Sequence, residues 1–263
     1  MHGIHFELDE QGIGTLKIDR PAVRNALDWA AMDAFAEIVD GLRALTGLRA
    51  LILTGGGNTF VSGGDLSDLQ YYPRAEHGAK LSRIMGDALL ALENLHVPTI
   101  AAINGPARGG GAEIAIACDL RVIAENADIG FVHTRLGIVT AWGGGQRLLR
   151  TLGYARALEL LATGRILDAR ESVALGLSNL VAAAGEAWSA AREMALKMAA
   201  VPLGAISATK RFLQFGLTHD YEESLQTERA EFPALWDTEF RREAVARFLS
   251  KSKVRNNGQP THS

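Results

Sequence analysis

Residues 99–119 read TIAAINGPARGGGAEIAIACD, in which an apolar β-run passes through a glycine-rich turn into an apolar helix. Ile100–Ile103 is β-branched and rich in alanine, which is typical of a buried strand, and Ala112–Cys118 has the small and aliphatic residues of a buried helix. Gly109–Gly111 stand where the two meet, so a ligand can approach the backbone while the first free N–H groups of the helix point outward. The join therefore predicts a backbone site for an oxygen that carries negative charge.

Glu113 adds a carboxylate to this predicted site. It lies one helical turn after Gly110, and helical side chains lean toward the helix N-terminus, so we expect its carboxylate over the same spot as the Gly110 N–H. Taken alone, the stretch has a second interpretation. The glycines could serve only close helix packing, and Glu113 could be an ordinary first-turn acid that the helix dipole stabilises.

The composition is that of an ordinary globular protein, since the 263 residues are 48% hydrophobic and 22% charged. The net charge of −3 and the absence of a long Lys/Arg block argue against nucleic acid as a partner. Cys118 is the single cysteine, and its place in the apolar helix predicts a small core residue in a reducing compartment. No apolar run approaches the roughly 18 residues of a membrane span, so we expect a cytoplasmic protein with no membrane partner.

Strand and helix patterns alternate over the first half of the chain, which predicts an α/β fold. The predicted elements are the hairpin strands Ile4–Leu8 and Thr15–Ile18, a helix capped by Asn25 that ends near Leu45, the strand Ala50–Thr54, the helix Ala75–Leu95, the central strand and helix, and the strands Leu120–Ile123 and Ile129–Phe131. From Gly144 to Ser250 helical patterns predominate, and no long strand is predicted. We therefore predict a core over residues 1–200 and, in the same structural unit, a helical region over residues 201–263.

A second glycine turn reads SGGDL at residues 62–66, with Gly64 directly before Asp65, where a short helix is predicted to begin. Two backbone N–H groups from separate turns can converge on one carbonyl oxygen and stabilise negative charge there. With Gly64 and Gly110 as the donors and Glu113 alongside, the residues indicate enolate chemistry on an activated acyl group. Neither glycine run matches a nucleotide-binding loop, and the sequence has no GxSxG elbow and no metal-ligand spacing.

Four longer motifs follow one another along the chain. They are SGGDL from Ser62, NGPARGGGAEIAIACDLRVI from Asn104, GGGQRLLRTLG from Gly143 and ATGRILDARESVALGLSN from Ala162. Together they resemble the enoyl-CoA hydratase/isomerase (crotonase) family, and the similarity covers almost the whole chain. The resemblance implies a crotonase-like spiral of ββα turns with a helical C-terminal trimerisation region, a homotrimer or homohexamer, and an acyl-CoA substrate. It implies no cofactor, since coenzyme A is part of the substrate.

The resemblance also implies roles for individual residues. Gly64 and Gly110 would form the oxyanion hole for the thioester. The residues that would bind the substrate, the first three of them near the CoA nucleotide, are Arg24, Ala26, Ser62 through its carbonyl, Asp65 and Leu66. Phe248 and Lys251 resemble C-terminal residues that reach the CoA of a neighbouring subunit, although Lys251 could equally be a solvated surface charge.

One position departs from the family pattern. Family hydratases use two glutamates, of which the first aligns with Glu113, while the second falls on His133. Addition of water to an enoyl group is expected to need a base for the water and a proton source for the α-carbon, so the substitution puts hydration in doubt. His133 could replace the glutamate as an acid or base, because its unperturbed pKa lies near neutrality, or it could be a hydrogen-bonded structural histidine.

The local pattern around Trp142, together with SGGDL, GGGAE and FVH, resembles the ethylmalonyl-CoA decarboxylase branch of the family. Loss of CO₂ leaves a thioester enolate, which needs only one proton donor, Glu113 or His133. Trp142 would wall the pocket and help to desolvate the leaving carboxylate, although core packing explains a lone tryptophan equally well. We therefore expect a decarboxylase of an alkylmalonyl-CoA. The alternatives are a hydratase or isomerase that works with a single glutamate, and a non-catalytic relative that binds CoA esters or RNA.

Overall fold

The computed structural model describes the backbone of residues 2–256 and the side chains of residues 2–250. The strands of this part are β1 (Ile4–Leu8), β2 (Ile13–Ile18), β3 (Ala50–Gly55), β4 (Thr99–Ile103), β5 (Ala107–Arg108), β6 (Leu120–Ala124), β7 (Asp128–Gly130), β8 (Ile166–Asp168) and β9 (Leu180–Ala182). The α-helices are α1 (Trp29–Leu42), α2 (Leu66–Leu69), α3 (Ala75–Glu93), α4 (Gly110–Ala117), α5 (Gly144–Leu152), α6 (Tyr154–Thr163), α7 (Ala169–Ala174), α8 (Ala187–Ala199), α9 (Leu203–Gly216), α10 (Tyr221–Trp236) and α11 (Glu239–Asn256). None of the helices in this part is long and apolar enough to cross a bilayer.

The main sheet has six strands in the order β1-β2-β3-β4-β6-β9. β1 runs antiparallel to β2, and every other neighbouring pair is parallel. Every residue of β3 and β4 is buried, which explains why both read as continuous apolar runs rather than as alternating ones. The chain therefore has the mixed α/β fold that the sequence predicts.

A smaller layer beside this sheet brings the two glycine turns together. Strands β5, β7 and β8 form a three-stranded sheet, and β5 leads directly into the turn before α4. Isolated bridges pair Val61 with Ala107 and Leu27 with Gly64. Since Val61 and Gly64 flank the first glycine turn and Ala107 precedes the second, these bridges fix the two turns against each other.

The chain divides into two compact units, one up to Ala200 and one from Val201. The second unit is entirely helical in its described residues, and α9 packs on α10 with an ion pair between Arg211 and Glu231. A helical C-terminal region is therefore present, as predicted. That it belongs to the same structural unit as the core stays a prediction.

Two details differ from the predicted elements. Asn25 does not cap the first long helix, because Asp28 is the N-cap of α1 and accepts a hydrogen bond from the Ala31 N–H. The Asn25 side chain is buried and donates instead to carbonyl oxygens of residues 56–60. The described residues of the second half include no long strand, as predicted, but they supply the three-residue strands β8 and β9, and β9 forms one edge of the main sheet.

Candidate active site

The glycine turns at residues 62–64 and 109–111 lie in contact. A Cβ atom on Gly63, whose φ is +99°, would stand 3.1 Å from the Gly110 nitrogen, so only glycine allows this approach without displacing a neighbour. Gly110 is the first residue of α4, and its N–H therefore has no acceptor within the helix. The structure thus places the two predicted oxyanion donors, Gly64 and Gly110, on adjoining turns.

A cavity of about 390 Å³ opens over these turns. Of the predicted site residues it is lined by Ser62, Gly64, Leu66, Gly110, Glu113, His133 and Trp142. The other lining residues are mostly apolar and include two cations, Arg108 and Arg135. They are Gly63, Leu69, Leu81, Arg108, Gly109, Val132, Arg135, Leu136, Ile138, Val139 and Ala141. The predicted residues Arg24, Ala26, Asp65 and Phe248 are not part of this lining.

Glu113 is buried at the base of the cavity, with a fractional exposure of 1%. Its Oε1 accepts hydrogen bonds from the backbone N–H groups of Trp142 and Gly144, both at 2.9 Å. Its Oε2 lies 2.9 Å from Nε2 of His133. A buried carboxylate needs such partners, because burying an ionised group without them costs on the order of several kcal/mol. The three contacts fix the carboxylate in one orientation.

His133 enters the site from a short 3-10 helix, Val132–Leu136, that follows β7. Two hydrogen bonds anchor this helix to the end of α6, from Thr134 Oγ1 to the Leu161 carbonyl and from Arg135 Nη2 to the Gly164 carbonyl. The His133 side chain is 11% exposed, and its Nδ1 is buried without a hydrogen-bond partner among the described residues. The contact of Nε2 with Glu113 is therefore the polar contact of the ring in the described part of the chain.

Trp142 lies against the start of α4. A Cβ atom on Gly110 would come within 2.2 Å of the indole carbon Cζ3, so the ring covers the Cα of Gly110. The side chain is buried and also lines the cavity, so it packs the core and walls the pocket at the same time. The two interpretations of this tryptophan that the sequence left open are compatible.

The sequence did not indicate Gly144 as a site residue. Its N–H binds Glu113, and a Cβ atom there would stand 2.5 Å from Glu113 Cγ, so glycine is required for the carboxylate to come so close. The glycine block from Gly143 was the available signal, but only the three-dimensional contact identifies its partner.

The other predicted residues form a second group beside the first glycine turn. The Ser62 N–H donates to the Arg24 carbonyl, and Ala26 is buried two residues further on. Asp65 is the N-cap of α2, where its Oδ1 accepts from the Ser67 N–H, and the exposed Leu66 begins that helix. Arg24 and Ser62 are therefore neighbours, as a shared binding role requires.

Two predicted residues belong to the second unit. Phe248 lies on α11 with an exposed side chain, and the side chain of Lys251 lies outside the described residues. Their proposed contact with the CoA of a neighbouring subunit stays a prediction. Elsewhere, Cys118 is buried in the core, and the described residues contain no group of three or more His, Cys, Asp or Glu side chains suited to a metal ion.

Comparison with known proteins gives consistent matches over nearly the full length. The family model described as enoyl-CoA hydratase/isomerase matches residues 9–259. A short-chain-enoyl-CoA hydratase of Clostridium acetobutylicum is 32% identical over 94% of the chain and 95% of its own length. An ethylmalonyl-CoA decarboxylase of Gallus gallus is 33% identical over 93% of the chain and 83% of its own length. The crystal structure of an enoyl-CoA hydratase from Bacillus anthracis superposes with a TM-score of 0.89 at 31% identity, covering 95% of this chain and 96% of that one.

Proposed function

Because the chain belongs to the enoyl-CoA hydratase/isomerase (crotonase) family of acyl-CoA enzymes, we propose that it removes CO₂ from an alkylmalonyl-CoA thioester. One observation carries the proposal. The position that would hold a second glutamate in a family hydratase holds His133, and its Nε2 lies 2.9 Å from Oε2 of Glu113. The cavity therefore offers one coupled acid–base pair in place of two separate carboxylates.

The reaction would proceed through an enolate of the thioester. The thioester oxygen accepts hydrogen bonds from the N–H groups of Gly64 and Gly110. The bond from the α-carbon to the carboxylate then breaks, its electron pair forms the enolate, and CO₂ leaves. The Glu113–His133 pair delivers one proton to the α-carbon and regains it from solvent. Each oxyanion donor of this kind contributes on the order of 10² to 10³ in rate.

The number of proton transfers that each reaction needs favours decarboxylation over hydration. Hydration requires a group that deprotonates water and a source of the proton that reaches the α-carbon. Among the described residues that line the cavity, Glu113 is the only one with a carboxylate. Its Oε1 already accepts two backbone hydrogen bonds, and its Oε2 lies 2.9 Å from His133 Nε2. Decarboxylation requires only a single proton from this pair and no activated water.

The apolar wall of the cavity also favours decarboxylation. The side chains of Leu81, Ile138, Val139 and Trp142 line the space beside the acid–base pair. An ionised carboxylate is poorly solvated by such a wall, whereas CO₂ is neutral and is not penalised there. The loss of CO₂ therefore relieves an unfavourable burial of charge.

The remaining parts of the proposal concern the substrate's CoA group and the assembly. Arg24, Ala26 and Ser62 bind the CoA nucleotide, and the hydrogen bond between the Ser62 N–H and the Arg24 carbonyl supports their joint role. No cofactor other than this CoA takes part. The enzyme works in the cytoplasm as a homotrimer or homohexamer.

A hydratase or isomerase with a single glutamate is the second candidate, favoured by the 32% identity to the Clostridium acetobutylicum hydratase. The two functions are separated by incubating the protein with ethylmalonyl-CoA, methylmalonyl-CoA and crotonyl-CoA and following each ester by mass spectrometry. We expect loss of 44 mass units, the mass of CO₂, from the first two esters and negligible hydration of the third. Rapid hydration of crotonyl-CoA without CO₂ from either malonyl ester would overturn the proposal in favour of the hydratase. A thermal shift with these esters but no turnover would indicate a binding protein.

A further inference from the structure

We propose that Arg147 is a positioning residue that holds Glu113 in place through the turn formed by residues 142–144. The inference rests on the proposed function only in treating Glu113 as the acid–base group. Arg147 lies on α5, its side chain is 9% exposed, and it does not line the main cavity. Any effect on the reaction must therefore pass through its neighbours.

The contacts of Arg147 reach in two directions. Its Nη1 donates to the Trp142 carbonyl at 2.9 Å. Its Nε and Nη2 donate to Oε2 of Glu93 at 2.9 and 2.7 Å, and Glu93 is the last residue of α3. A guanidinium group is rigid and planar, so the contact with Glu93 also sets the direction of Nη1. The ion pair therefore braces the Trp142 carbonyl against the end of α3.

The same turn supplies both backbone hydrogen bonds to Glu113. The N–H groups of Trp142 and Gly144 both bind Oε1, and Gly143 between them has a φ of +91°. A Cβ atom on Gly143 would stand 2.6 Å from Nη1 of Arg147, so the guanidinium lies directly against this peptide segment. Arg147 therefore contacts one side of a turn whose N–H groups orient the carboxylate.

A purely structural ion pair between α3 and α5 is the competing explanation, and Arg150 provides a matched control for it. Arg150 lies on the same helix, and its Nη1 is 3.8 Å from Oε1 of the same Glu93. Its side chain is 42% exposed, and no hydrogen bond joins it to the turn among the described contacts. If the ion pair mattered only for helix packing, Arg147 and Arg150 would differ in stability but not in their effect on Glu113.

The test compares Arg147→Lys, Arg147→Met and the double variant Glu93→Gln/Arg147→Met with Arg150→Met. The double variant is included because Arg147→Met alone removes the nearer cation of the half-buried Glu93 carboxylate, which threatens folding. Amide hydrogen exchange, followed by NMR on the protein without substrate, reports the Trp142 and Gly144 N–H groups directly. We expect both to exchange faster in the Met-containing Arg147 variants, with Arg147→Lys intermediate and Arg150→Met unchanged.

Kinetics provide the second readout. In the folded Arg147 variants we expect kcat for CO₂ release to fall on the order of 10- to 100-fold with little change in KM, as when a supporting partner of a catalytic group is lost. Unchanged exchange at both amides in a folded Arg147→Met or double variant would overturn the inference, as would exchange that rises equally throughout α3 and α5. The amide readout does not depend on the reaction. Absence of CO₂ release in the wild type would refute the proposed function and leave this test standing.

Discussion

Glu113 and His133 are in contact, but they differ in whether their buried polar atoms have hydrogen-bond partners. The Glu113 carboxylate accepts two backbone hydrogen bonds and lies 2.9 Å from His133 Nε2, while His133 Nδ1 is buried without a hydrogen-bond partner in the described part of the chain. Buried polar atoms without partners are uncommon and cost stability, and at functional sites a bound ligand often supplies the missing partner. The pair therefore combines a carboxylate that backbone donors orient with an imidazole whose Nδ1 is available to a bound substrate.

This asymmetry leads to a prediction about two substitutions. Glu113→Gln preserves the side-chain shape but removes the carboxyl group that takes part in delivering the proton, so we expect CO₂ release to fall by about 10² to 10⁴. His133→Ala removes one partner of the pair and leaves the carboxylate and its backbone donors, so we expect a smaller loss. Both are measured as kcat with ethylmalonyl-CoA. Glu125→Gln is the control, because that carboxylate bonds to the Ala184 N–H outside the cavity. A Glu113→Gln protein with the activity of this control would remove Glu113 from the mechanism.

At the scale of single elements, the start of α1 shows where sequence patterns mislead. Asn25 and Asp28 are both residues that cap helices, and only the fold decides between them. Asn25 has a φ of 58° and a buried side chain that donates to carbonyl oxygens of residues 56–60, so it holds the loop before the first glycine turn. Asp28 accepts from the Ala31 N–H and pairs with Arg20. The capping role therefore belongs to the carboxylate that adjoins the helix.

The Arg20–Asp28 contact makes the stability of α1 depend on pH. The hydrogen bond from Arg20 lowers the pKa of Asp28 below its ordinary value of 3.8, against an opposing effect of burial. A carboxyl group with a lowered folded pKa stabilises the fold above its unfolded pKa and loses that contribution as pH falls through the folded pKa. The contribution is therefore complete at pH 7 and declines below about pH 4.

Asp28→Asn tests this dependence, because asparagine caps a helix about as well as aspartate but cannot be ionised. We expect it to lower the free energy of unfolding at pH 7 by about 1 kcal/mol and to lose less stability than the wild type between pH 7 and pH 3, as measured by urea unfolding. Asp40→Asn is the control, since its ion pair with Arg43 is largely exposed. Parallel pH profiles for Asp28→Asn and the wild type would contradict the prediction.

At the scale of the whole molecule, the sequence predicted what depends on local pattern and missed what depends on distant contacts. The apolar runs of β3 and β4 and the glycine turns are local signals, and their places in the fold are confirmed. The strand β9 has only three residues, so its alternation is too short to detect, and it exists because β6 offers it a parallel partner. The hydrogen bonds from the Trp142 and Gly144 N–H groups to Glu113 were missed because they join residues that are far apart in the sequence.

The exposed surface of the second unit is the basis for predicting how the chain assembles. Large apolar side chains are exposed on α9, α10 and α11 or directly after α9, namely Leu213, Leu217, Tyr221, Phe232, Trp236, Phe240, Phe248 and Leu249. Single exposed apolar residues are ordinary, but so many within one short region lead us to predict that another subunit covers this surface. Most soluble oligomers are closed and symmetric, which suits a trimer or a pair of trimers.

Sedimentation velocity at micromolar concentration is therefore expected to show a trimer or a hexamer. Leu213 lies exposed on α9, so Leu213→Glu adds a charge to the apolar surface without filling or emptying a core position. If that surface is covered by another subunit, the buried charge opposes association, and the variant shifts toward smaller species. Gln226→Glu, at an exposed polar position of α10, adds the same charge and is expected to leave the assembly unchanged. A wild-type protein that sediments as a clean monomer would contradict the predicted assembly.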